Sequence, residues 1–179
     1  MNQSSIMAIV FLSLLLTLVS CNANSASSPG DKVQAGGLPS STLKLGEAKG
    51  TLTAYGQTTE LKFAYACMVE GLEDETKKEI AILLTDEPIP EEKLIPGQLS
   101  CGSSSLCLRV NDKGRIVFAK MLMIIEKPGE QRGVGISVPM SGEVIKVSAT
   151  SIEGKSEKEI ESDGMKWSYT VAFKARMVK

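Results

Sequence analysis

The sequence predicts an all-β protein: an antiparallel β-sandwich of about eight strands, with a partly closed β-barrel as the second choice. Three observations lead there. In residues 165–177 seven apolar side chains (Met165, Trp167, Tyr169, Val171, Phe173, Ala175 and Met177) alternate with Lys166, Ser168, Thr170, Ala172, Lys174 and Arg176. That period of two is the mark of a half-buried strand. The stretch Asn111-Asp112-Lys113-Gly114 lies between two apolar runs and reads as a hairpin turn, with glycine supplying the positive φ. Finally, short apolar segments recur along the chain with turn residues between them, as a sandwich or barrel requires.

In chain order, strands are expected at 48–55, 60–69, 80–84, 106–110, 115–125, 133–139, 143–152 and 165–177. In the second, Leu61, Phe63, Tyr65, Cys67 and Val69 fall on one face by alternation. The fifth is apolar on both faces save for Lys120, which suits a central strand covered on both sides. Lys127-Pro128-Gly129-Glu130 and Ser141-Gly142 mark turns, and residues 90–94 fit a single helical turn before Pro96. No repeat of useful length is present.

Residues 1–46 read differently. Residues 6–19 (IMAIVFLSLLLTLV) are apolar apart from Ser13 and Thr17, and the first twenty positions carry no charge. A bilayer span needs about 20 apolar residues, so this run has the length of a signal-peptide core instead. It ends in Leu18-Val19-Ser20-Cys21, which resembles the bacterial lipobox. That resemblance implies cleavage before Cys21, diacylation of its thiol and membrane attachment of an exported protein, on the inner or outer membrane and facing periplasm or exterior. The leader departs from the usual pattern in having no Lys or Arg before the apolar run. Ordinary cleavage near Ala23 or Ala26, releasing a soluble secreted protein, is the other reading. Two or three acyl chains, each buried CH₂ contributing about 0.8 kcal/mol, hold a protein on a membrane durably. Residues 22–46 are rich in Ser, Gly, Ala, Asn and Pro, a composition that cannot bury enough apolar surface to order itself; such a tether reaches roughly 25–30 Å. The expected organisation is therefore a signal peptide (1–20), a lipidated tether (21–46) and one β-rich domain (47–179).

Composition narrows the function. The 20 Lys and Arg are balanced by 21 Asp and Glu, and there is no histidine. Without a basic excess nucleic acid is not an expected partner. Without histidine, Ser-His-Asp and Cys-His catalysis and the usual zinc sites are excluded. No cofactor or metal is expected. Besides Cys21 there are Cys67, Cys101 and Cys107. In an oxidising compartment Cys101 and Cys107, bracketing Gly-Ser-Ser-Ser-Leu, are the preferred disulfide, worth about 2 kcal/mol by loop closure. Pairing of Cys67 with either of them is the alternative.

Other motifs read as structural. Ser41-Thr42-Leu43-Lys44 has Ser-x-x-Lys spacing but sits beside Pro39 and Gly46, not at the start of a buried helix. The acids Glu153, Glu157, Glu159, Glu161 and Asp163 alternate with Lys155 and Lys158 and fit no calcium loop; they read as a solvated hairpin loop. Asp86, Glu87, Glu91 and Glu92 form a second acidic loop, and glycosidase-like paired carboxylates are its functional alternative. Met121, Met123, Met140, Met165 and Met177 alternate with aliphatic residues as core filling rather than as a copper site. Residues 61–66 (LKFAYA), 77–88 (KKEIAILLTDEP) and 167–173 (WSYTVAF) are similar to segments of uncharacterised secreted bacterial β-domains, a likeness that implies a fold and no activity. The expectation is a membrane-tethered, non-catalytic module with an envelope protein as partner. A carrier for an apolar ligand, with Phe63, Phe118, Ile124 and Phe173 lining its cavity, is the alternative, and a hydrolase using Asp86 and Asp163 stands behind both.

Overall fold

The computed structural model describes residues 42–97, 99, 103–127, 130–140 and 143–179, with backbone only for 126, 127 and 130. Nine strands form one sheet: β1 (Glu47–Ala54), β2 (Gln57–Glu70), β3 (Lys78–Thr85), β4 (Ser105–Val110), β5 (Ile116–Lys127), β6 (Glu130–Pro139), β7 (Lys146–Val147), β8 (Ser151–Ser162) and β9 (Met165–Met177). Their order is β6-β5-β4-β3-β2-β1-β9-β8-β7. Neighbours are antiparallel, apart from a short parallel contact of β2 with β9 at Tyr65–Arg176 and Ala66–Met177. The sheet curls until β1 packs against β5, so a single core is enclosed between its two halves. It is not closed into a barrel. The all-β antiparallel expectation holds.

Turn chemistry sets the hairpins. Tyr55-Gly56 and Asp163-Gly164 take positive φ at both residues (55° and 74°; 53° and 72°), as two-residue turns matching strand twist require. In the expected hairpin at Asn111, that side chain accepts hydrogen bonds from the backbone N–H of Lys113 and Arg115, both at 3.0 Å. Gly114 has φ 72° there.

The core follows alternation with two corrections. On β9, Trp167, Tyr169, Val171, Phe173 and Ala175 are buried inward as expected. On β2, however, Leu61 lies in the core with Ala64 and Ala66, while Tyr65 and Cys67 are buried outside that cluster. Opposite this stretch the β1–β2 register shifts between Glu47 and Gly50. Such an irregularity breaks strict alternation. β5 is apolar on both faces, yet its core-facing residues are Ile116, Ala119, Met121, Met123 and Ile125; Phe118, Leu122 and Ile124 on the other side are half-exposed. Met121 and Met123 fill core as expected.

A larger correction concerns residues 153–163. They form most of strand β8, and the connection to β9 is only Asp163-Gly164. Gly154, Ser156 and Ile160 face inward against Phe173, Val171 and Trp167, while Lys155, Glu157, Glu159 and Glu161 are exposed. The charges mark a solvated strand face rather than a loop. Conversely, the expected strand 143–152 is interrupted by residues 148–150.

Tyr65 and Cys67 are covered by the connection between β3 and β4. Ile89 N–H donates to the Tyr65 hydroxyl at 3.0 Å, and Thr85 Oγ1 donates to the Glu87 carbonyl at 2.6 Å. The expected turn appears in that connection as a 3-10 helix at Glu91–Lys93. Ahead of β1, Leu43 is buried and Gly46 N–H donates to the Lys174 carbonyl at 2.8 Å, so residues before the strand also pack on the domain. Gly50 is sterically required. A Cβ at Gly50 would lie 2.1 Å from the Thr170 carbonyl oxygen and 2.6 Å from Val171 Cα. Gly50→Ala should therefore force β1 from β9 and destabilise the domain by about 2–3 kcal/mol, read as a lower urea midpoint. An unchanged midpoint would contradict the close approach.

Candidate functional site: an open seam between β6 and β8

The two ends of the sheet belong to neighbouring stretches of chain. After β6, Met140 N–H donates to the Val117 carbonyl at 2.9 Å; Ile116 N–H donates to the Glu143 carbonyl at 3.0 Å; Ile145 N–H donates to the Gly114 carbonyl at 2.9 Å. Arg115 and Val144 form an isolated bridge. Residues 143–145 thus continue along the same edge of β5 as β6. Immediately afterwards Lys146 and Val147 of β7 pair with Glu153 and Ile152 of β8. One stretch, 143–147, therefore bonds β5 on one side and β8 on the other. Beyond it the strands diverge. Among the described residues no strand pairs with the outer edge of β6, nor with that edge of β8 from Gly154 onward. The result is a seam pinched shut at one end and open at the other.

The pinched end is where the chain enters β1 and where β2 and β9 finish; the open end holds the β1–β2 and β8–β9 turns. On the β6 side Val134, Ile136 and Val138 are partly buried against the core, and Ile160 does the same from β8. Register places two cations on the same inward face: Arg132 opposite Ile125, and Lys158 opposite Tyr169. Both are exposed, and among the described residues no strand covers that face there.

A polar group sits at the fork. Glu143 Oε1 accepts the backbone N–H of Glu157 at 3.3 Å, so the side chain occupies one edge donor of β8. Its Oε2 is buried with no hydrogen-bond partner among the described residues, a costly state for a carboxylate oxygen. Nearby, the Tyr169 hydroxyl and Ser156 Oγ share a hydrogen bond of 3.0 Å. Burial, opposed by that bond and aided by the Glu143 charge, pushes the Tyr169 phenol up to about 12. At ordinary pH it stays protonated and cannot activate Ser156. The cluster offers hydrogen bonds, not proton transfer.

The residues singled out in the sequence lie elsewhere. Cys21, Ser41 and Cys101 fall outside the described residues. Cys107 is half-buried on β4, opposite Leu83 and Lys120. Cys67 is buried on β2, where burial raises its thiol pKa against the opposing effects of the Gly97 backbone and Arg109. Lys44 is exposed, and its backbone N–H donates to the Glu47 carboxylate at 2.7 Å. Phe173 is in the core, whereas Phe63, Phe118 and Ile124 lie outside it; the four do not line one cavity. Asp86 borders a polar recess of about 410 Å³ with Gln57, Ser104 and Gln131, and Asp163 is in the β8–β9 turn. Glu91 pairs with Arg176 at 3.5 Å. Among the described residues no group of three or more Cys, Asp or Glu is placed to hold a metal ion.

Comparison with protein-family profiles, with curated proteins and with solved structures finds no match.

Tyr169 gives the fork a pH signature. Its folded pKa lies above the ordinary 10, so its contribution is intact below pH 10. Between pH 10 and about 12 the unfolded chain ionises first, and stability falls by roughly 1.4 kcal/mol per pH unit. Urea midpoints measured from pH 9 to 11.5 should fall more steeply for the native chain than for Tyr169→Phe. Equal slopes would place the phenol in water.

Proposed function

We propose that the chain is an exported, lipid-anchored envelope protein, attached through Cys21, whose β-domain is a non-catalytic binding module for another envelope protein. The observation that carries the binding part is the unfinished seam: two strand edges that no strand among the described residues pairs with, above an apolar floor. Exposed strand edges are templates for pairing, and natural proteins normally blunt them. One left open, with half-buried valine and isoleucine beneath it, suits recognition. The anchor part is supported by the lipobox-like Leu18-Val19-Ser20-Cys21 at the end of an apolar leader. The absence of histidine from the sequence favours binding over hydrolysis.

Mass spectrometry of the mature N-terminus and fractionation of cells test the anchor together. The native chain should begin at an acylated Cys21 and sediment with membranes, whereas Cys21→Ala should be depleted from membranes. An unmodified thiol, or a terminus several residues further on, overturns it.

A further inference from the structure

We infer that the free edge of β6 is an acceptor for an extended strand of a partner protein, one that carries alternating apolar side chains and an acidic residue. The inference rests on the binding-module reading and not on the lipid anchor.

The choice of β6 over β8 follows from their side chains. From Gly133 to Met140 the sequence is Gly-Val-Gly-Ile-Ser-Val-Pro-Met, with no charge. Gly133, Gly135 and Ser137 occupy the outward face and are exposed, so little stands beside an approaching backbone. β8 presents Lys155, Glu157, Glu159 and Glu161 on its outward face, and the Glu143 carboxylate already holds its Glu157 N–H. That edge is obstructed, whereas among the described residues no strand pairs with the free edge of β6.

Strand addition supplies main-chain hydrogen bonds, and pockets for alternate side chains supply selectivity. Val134, Ile136 and Val138 are only partly buried on the inward side. A strand laid beside β6 would extend that face, and its own inward residues would cover the apolar surface left between β6 and β8. Hence the alternating apolar pattern. Arg132 at the mouth and Lys158 deeper in the seam share the same inward face. Neither makes an ion pair with a described side chain. Inward charges on edge strands can serve to discourage pairing. Here both are positive, so they discourage apolar or basic strands and select one bearing an inward carboxylate.

The test uses the full mature chain, taken from whichever cell fraction holds it, so that failure of the anchor leaves the seam experiment intact. Two short synthetic peptides alternate valine or isoleucine with threonine; one ends in aspartate, its twin in lysine. Hydrogen exchange should slow by about tenfold or more at β6 amides in the presence of the aspartate peptide. The lysine twin should bind at least about fivefold more weakly. Arg132→Glu with Lys158→Glu, both exposed substitutions, should reverse the preference while circular dichroism stays native. No slowing at β6, or slowing confined to other strands, overturns the inference. So does a peptide ranking that charge reversal leaves unchanged. Self-association of the chain alone, with β6 protected in the absence of peptide, would identify a second copy as the occupant and overturn the partner assigned here.

Discussion

The architecture depends on one stretch of backbone, residues 143–147, that hydrogen-bonds to two strands at once. Val144 and its neighbours hold the edge of β5, and Lys146–Val147 hold the start of β8. Through those few bonds the two ends of a nine-stranded sheet meet, and around them the sheet wraps its core. Backbone groups must be paired or wet. Further along, among the described residues, no strand pairs with the outer edge of β6 or with that edge of β8.

Packing explains why the closure is local. At the pinched end small residues let the layers approach: Gly154 faces Ile145 and Phe173, whose atoms lie 2.6 Å and 2.9 Å from where a Cβ would be. Farther from the fork β8 presents Lys158 inward and β6 presents Arg132. Joining these stretches would bring two cations beneath a common roof, an unfavourable burial without counter-charge. The Glu143 carboxylate bridges part of the gap by accepting the Glu157 N–H, leaving its second oxygen for another donor. The result is one hydrophobic core with a polar fork at one side.

The outer face of the central strands solves a different problem. Tyr65, Cys67, Ala81 and Leu83 point away from the main core yet are buried. The β3–β4 connection lies over them, anchored at the Tyr65 hydroxyl. Arg109 ties the next strand in, meeting Glu79 at 3.1 Å with both side chains largely covered and reaching the Glu70 carbonyl. A charged pair withdrawn from water needs such additional hydrogen bonds to be tolerated. This is why β2 and β3 carry apolar residues on both faces even though the sheet has one main core.

What could be read from the chain alone was periodicity and turn chemistry, because both are local. The alternation of β9, the Asn111–Gly114 turn, the short turn at Glu91–Lys93 and the all-β class follow from residues close together in sequence. Alternation alone does not give the face of β2, because its phase depends on an irregularity in pairing with β1. Strand β8 resembles a loop in sequence because its inward residues are mainly small or polar, Gly154, Ser156 and Lys158, and alternation is visible only when one face is apolar. The seam left still less trace: whether an edge is paired depends on which distant strand lies beside it. Only the tertiary structure could bring Glu143 to the backbone of Glu157 or set Arg132 and Lys158 on one face. Side-chain chemistry along the chain determined which segments become strands; the long-range hydrogen bonding between segments decided which edges close and which stay open.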